Sequence, residues 1–163
     1  MRNPTLAATA MLLAGPIFAQ ESGGVVTLTT EGETYEMMLL AENAHWIDQP
    51  GVVIASLYAT TDAGNAPISS IEITAGTVQG NVMPNPLFRA WVDGAEGLEV
   101  LTTAEEAPSS VTIEEMAEDG DILTVSGTFE GVLSMVQEGV DTRPAETPRE
   151  VSGRFDVQLD LFE

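Results

Sequence analysis

The chain has one histidine, His45, and it stands beside Trp46 with Glu42, Asn43 and Asp48 close by in sequence. An imidazole among carboxylates is raw material for proton transfer or metal ligation. A zinc or copper centre draws on three or four converging ligands, commonly several His or Cys. This chain has no Cys, so such a centre has too few ligands to draw on. Met37, Met38, Met83 and Met135 offer soft sulfur for copper, but Met within apolar runs is ordinary core filler. A Ser–His–acid relay would have to use His45 as its base, and no G-x-S-x-G elbow presents a serine to it. The 26 Asp and Glu form many accidental pairs, so none stands out for glycoside chemistry. No catalytic residue, metal ligand or cofactor is assigned.

Calcium is the better metal case, because oxygen-rich loops suit it. Glu118, Asp119 and Asp121 surround Gly120, and Glu105 and Glu106 share a polar loop. No D-x-[DN]-x-[DN]-G loop is present, and Asp119-Gly120 is explained by hairpin chemistry. Hairpin is the preferred reading. Binding without catalysis has other candidates. Trp46 and Trp91, with Tyr35 and Tyr58, could form a stacking platform for a sugar, or each could close off the core near a loop. Trp46, Trp91 and His45 are the ligand-binding candidates. Arg143, Arg149 and Arg154 lie within twelve residues. They either hold an anion or tie a proline-containing loop to nearby carboxylates, and the tie is preferred.

The residues that must position these groups begin after a leader. Arg2 supplies a positive start, Leu6 to Phe18 is apolar, Gly15-Pro16 breaks the run, and Ala19 precedes the polar Gln20-Glu21. This is the pattern of a secretory signal peptide spanning residues 1–19. The apolar run is well short of the roughly 20 residues that span a bilayer. Without Cys there is no lipid anchor at the junction. The expectation is a soluble product, periplasmic or extracellular, not a lipoprotein, with one β-rich domain over residues 20–163. Those 144 residues are enough to bury a core without disulfide staples.

Charge excludes some partners. All 26 acids follow the leader, against four arginines, Arg89, Arg143, Arg149 and Arg154, and no Lys, giving −22. Phosphate binding needs basic residues to displace counterions, so nucleic acid is excluded and an anionic membrane disfavoured. The acidity reads either as attraction for cations or basic partners, or as a surface kept soluble in a salty exterior. The second is preferred.

Apolar and polar residues alternate through most of the chain, the period of a strand with one dry face. Val25–Thr30 and Glu33–Leu40 flank Glu31-Gly32, a two-residue hairpin signal. Ala41 to Asp48 reads as a short helix or irregular crossing ended by Pro50-Gly51. Val52–Ala59 reads as a central strand, Gly76–Pro86 as a long loop, and Gln137–Glu150 as a polar loop containing Pro144 and Pro148. Ile122 to Val136 is the longest expected strand. About nine strands at this spacing give an all-β, antiparallel two-layer β-sandwich, with a closed or partly closed β-barrel as the alternative.

One segment is written almost twice: Val125-Ser126-Gly127-Thr128-Phe129 returns as Val151-Ser152-Gly153-Arg154-Phe155. Each Gly precedes a Phe by two residues on the same strand face. Gly there lets a neighbouring ring cover it or lets the sheet coil, so the two rings are expected to interlock. Residues 111–160, with the phrase V-S-G-T-F, resemble groups of uncharacterised small secreted bacterial β-domain proteins. That resemblance implies a secreted β-domain and no activity or site residues.

The functional expectation is an exported, non-enzymatic binding or interaction domain whose partner is a protein or small molecule. One alternative is a carrier with an apolar cavity lined by Met37, Phe129, Phe155 and Trp91. The other is a calcium-dependent carbohydrate binder or hydrolase.

Overall fold

A computed structural model describes residues 23–62, 64, 66–83, 86–94, 97–104 and 108–162. The expected signal peptide and the Glu105-Glu106 pair lie outside the described residues. The fold is all-β, as the alternation requires. Among the described residues, eleven strands belong to one hydrogen-bonded sheet: β1 (Gly23–Thr30), β2 (Glu33–Leu39), β3 (His45–Gln49), β4 (Val52–Thr60), β5 (Ser70–Val78), β6 (Asn81–Val82), β7 (Leu87–Gly94), β8 (Gly97–Thr103), β9 (Ser109–Asp119), β10 (Ile122–Glu138) and β11 (Asp141–Leu161).

Turn chemistry sets the hairpins. Thr30 pairs with Glu33 across Glu31-Gly32, and both turn residues have positive φ, 53° and 82°. That is the two-residue turn whose twist matches the strands. Gln79-Gly80 repeats it, with φ of 52° and 79°, and folds β5 onto β6. Gly120 and Gly139 occupy the first loop positions of the β9–β10 and β10–β11 hairpins, at φ of 63° and 65°.

Eight strands form a closed circuit of antiparallel ladders: β1, β2, β4, β5, β7, β8, β10, β11 and back to β1. The register can be followed round it. From Ser126 the partners run through Asp156, Val25, Met38, Thr60, Ser70, Trp91 and Val100 to Gln137, eleven residues further along β10. Strand stagger of this kind accompanies sheets that curl strongly. The circuit is thinnest at β2–β4, where two residue pairs join the strands. One ladder departs from the antiparallel rule: β3 runs parallel to β11 through His45↔Asp160 and Trp46↔Leu161.

Inward positions build one core that includes Val26, Leu28, Met37, Leu57, Ile71, Ile73, Phe88, Leu123, Phe129, Leu133, Phe155 and Leu159. Each buried aromatic or aliphatic side chain adds roughly 1.5–3 kcal/mol of transfer free energy. No helix among the described residues is long and apolar enough to cross a membrane.

Four local expectations need correction. The Ala41–Asp48 crossing is a single 3-10 turn, Ala41–Asn43, followed by strand β3. Pro50-Gly51 is a hairpin turn rather than the end of a helix, with Gly51 at φ 79°. The Gly76–Pro86 loop contains the β5–β6 hairpin, whose signal was the Gln79-Gly80 pair. Finally, β11 outruns β10, at 21 residues against 17. Its first part covers most of the expected Gln137–Glu150 loop, with Pro144 and Pro148. Those prolines bound an irregularity: Pro144 opposes Met135 and Arg149 opposes Leu133, so residues 145–148 lie across from Ser134 alone. A bulge accepts proline where a regular ladder would not.

Candidate functional site

The expected ligand candidates do not converge. Trp46 faces the core at 2% exposure, and its indole Nε1–H donates to the Asp121 carbonyl at 3.1 Å. The same carbonyl accepts the Leu161 N–H at 2.8 Å, so Trp46 is a structural peg for the end of β11. His45, one residue earlier, points the other way. Its ring lies 4.9 Å from that of Phe162, in an open concavity of about 460 Å³ also lined by Glu42, Asp121 and Asp160. Trp91 lies between the buried Ala90 and Val92 and so faces outward. It meets Tyr58 edge to face at 5.1 Å, across the intervening strand β5. Tyr35 stands elsewhere, its hydroxyl donating to Glu33 at 2.7 Å. Of the four aromatic candidates, the structure joins Tyr58 to Trp91.

The acidic and arginine clusters separate in the fold. Among the described residues, no group of three or more His, Cys, Asp or Glu is placed to hold a metal ion. Asp119-Gly120-Asp121 is the β9–β10 hairpin. The arginines are ties: Arg143 pairs with Glu138 at 2.7 Å and with Glu99 at 3.8 Å. Arg149 pairs with Glu31 at 2.5 Å, and Arg154 with Glu114 at 2.8 Å. The Arg143 and Arg149 pairs flank the 145–148 bulge, although exposed pairs of this kind add little energy.

The feature that sequence reasoning missed is a polar groove on the outer face of β9, β10, β11 and β1. Two adjoining concavities, of about 590 and 600 Å³, share Thr29, Ser110, Glu130 and Ser152. Those four residues form one continuous row, Ser110↔Glu130↔Ser152↔Thr29, one from each strand. The next row is Thr112↔Thr128↔Arg154↔Thr27. Three strand spacings make the groove roughly 14 Å wide across the strands. Hydroxyls therefore line both rows, with the Glu130 carboxylate central and accepting from Ser110 Oγ at 3.3 Å. Glu31 and Glu150 stand at one end.

Glycine shapes the floor. A Cβ at Gly153 would lie 1.9 Å from the Thr27 carbonyl oxygen and 2.6 Å from Phe129 Cζ. At Gly131 it would lie 2.7 Å from the Phe88 ring. The aromatic rings press against these glycines from inside while the outer side stays hollow. The sequence carried half of this signal. In the two rows every residue except Arg154 is Ser, Thr or Glu, but nothing in the order of residues says that β9, β10, β11 and β1 lie side by side.

The arrangement can do hydrogen-bond and charge recognition. His45 and the groove occupy separate places, so the one imidazole is not among the groove's lining residues. Compared with models of known protein families, with curated proteins and with solved structures, the chain matches none.

Proposed function

We propose that the chain is an exported, non-enzymatic binding module that takes a polar partner in the groove across β9, β10, β11 and β1. The observation that carries this reading is the unbroken row Ser110–Glu130–Ser152–Thr29 inside a concave surface. Hydroxyls and a carboxylate on a rigid sheet are pre-organised donors and acceptors, which lowers the entropy cost of binding. Export is supported by the residue pattern of the leader and by the resemblance to secreted β-domain proteins.

The carrier alternative has less support. Met37, Phe129 and Phe155 belong to the packed core, and Trp91 faces outward on another part of the sheet. The calcium alternative rests on acids that serve a hairpin. Two measurements test the reading. Binding of a soluble probe by the mature chain should be lost on Ser152→Trp, which fills the groove. Turnover of a hydrolase panel that disappears on His45→Ala would overturn the non-enzymatic part.

A further inference from the structure

Hydrogen bonding divides the strands into two groups. One is β9, β10, β11, β1 and β2, and the other is β3, β4, β5, β6, β7 and β8. Among the described residues, three ladders join the groups. On one side β8 pairs with β10 through Thr103↔Leu133 and three further pairs, and Phe88 of β7 packs against Phe129 of β10 beneath them. On the other side the joins are short. Met38↔Thr60 and Leu39↔Ala59 link β2 to β4, and His45↔Asp160 and Trp46↔Leu161 link β3 to β11. A ladder of two pairs offers few hydrogen bonds, and a parallel one is slightly weaker per residue.

A few bonds reinforce this second side. Leu40 N–H donates to the Tyr58 carbonyl at 2.8 Å, extending the β2–β4 join. At the β3–β11 join, Leu161 N–H and Trp46 Nε1–H share the Asp121 carbonyl, at 2.8 and 3.1 Å. Phe162 N–H donates to the Trp46 carbonyl at 2.9 Å, and its ring lies 4.9 Å from that of His45. Phe162 is nonetheless 63% exposed, so little apolar burial holds it in place.

We infer that residues 160–162 are a releasable clasp, and that the circuit opens along the seam formed by the β2–β4 and β3–β11 joins, with the β8–β10 ladder as its hinge. Segments held by few hydrogen bonds and little buried surface open below the free energy of global unfolding. The hinge ladder already carries an irregularity, between Leu133 and Met135. Met37, Leu57, Trp46 and Leu159 are buried side chains of the strands that flank the seam, and opening brings them to solvent.

Hydrogen exchange of the folded chain, followed amide by amide, tests this. In the wild type, Leu40, Leu161 and Phe162 should exchange through an opening that leaves Val125 and Phe155, inside the β10–β11 ladder, protected. Phe162→Ala removes the ring contact and should speed exchange at Leu161 and Leu40 alike, by about two- to tenfold, with Val125 and Phe155 unchanged. Leu40 decides the matter, because its bond to Tyr58 belongs to the other join. In a Trp91→Phe background the same change should raise acrylamide quenching of Trp46. Acceleration confined to Leu161 and Phe162 would mean a fraying strand end and would overturn the inference. Equal acceleration at Val125 and Phe155 would mean global unfolding and would overturn it too. So would wild-type protection at Leu40 equal to that at Phe155, a result that needs no variant.

Discussion

Phe129 of β10 faces Gly153 of β11 across the ladder, and two residues away Phe155 of β11 faces Gly127 of β10. The pairs are reciprocal because the duplicated segments V-S-G-x-F pair with each other about the Thr128↔Arg154 position. Each ring covers the glycine opposite: Phe129 Cζ lies 2.6 Å from where a Gly153 Cβ would stand, and Phe155 Cζ 2.8 Å from that of Gly127. Phe88 does the same over Gly131 and packs against Phe129 with centroids 5.9 Å apart. Three rings thus occupy three glycine hollows, which lets neighbouring strands approach closely and seals the interior beneath the groove.

The first prediction follows from that contact. Gly153→Val should destabilise the chain by more than about 3 kcal/mol or prevent folding, since the new side chain meets backbone as well as ring. Gly64→Ala has nothing within 4 Å of its Cβ and should change stability by no more than about 0.5 kcal/mol. Chemical denaturation of both variants measures the difference. Equal stability would contradict the packing described.

Trp46→Phe removes one buried donor and leaves the Asp121 carbonyl with the Leu161 N–H alone. The expected loss is about 1 kcal/mol. The two indoles should also separate by fluorescence. In Trp91→Phe the remaining Trp46 should resist acrylamide quenching, and in Trp46→Phe the remaining Trp91 should be quenched more readily. The reverse order would place the wrong indole inside.

Tyr35 provides a pH test. Its hydroxyl donates to Glu33, and that hydrogen bond is the largest reason its pKa is raised above 10.0. Lost hydration and the negative charges of Glu33 and Glu31 push the same way. The folded state therefore holds this proton more tightly than the unfolded state. The resulting stabilisation is complete below the ordinary phenol range and is lost as pH rises through the folded value. In a Tyr58→Phe background, Glu33→Gln should shift the phenolate absorbance transition to lower pH. No shift would remove Glu33 as the cause.

Export predicts a processed chain. Mass spectrometry of protein recovered from its own host should find Gln20 at the amino terminus. A product retaining Met1 to Ala19 would refute the leader.

Much of the wall was legible in the sequence because alternation is a local property. Val26, Leu28, Val125, Phe129, Phe155 and Leu159 all face inward as their spacing requires. The Glu31-Gly32 hairpin was equally legible, since a positive φ at Gly leaves few alternatives. Prolines misled the reading of residues 141–150, where a bulge reconciles Pro144 and Pro148 with strand pairing. His45 and Trp46 fall within the expected Ala41–Asp48 crossing, where the polar Glu42 and Asn43 interrupt the alternation. The ladder that makes β3 a strand is its hairpin with β4 around Pro50-Gly51, and a second tie comes from Asp160 and Leu161, over a hundred residues away. The groove was illegible for a related reason. Ser110, Glu130, Ser152 and Thr29 are individually unremarkable outward residues, and their row exists only through long-range ladders.

The most direct test of binding at the groove is amide chemical-shift mapping of the folded chain during titration with soluble polar probes, hexa-arginine and maltohexaose among them. The account predicts that shifts concentrate at Thr29, Ser110, Glu130 and Ser152 and saturate. Shifts centred on His45 and Phe162, or spread evenly over the acidic surface, would contradict it.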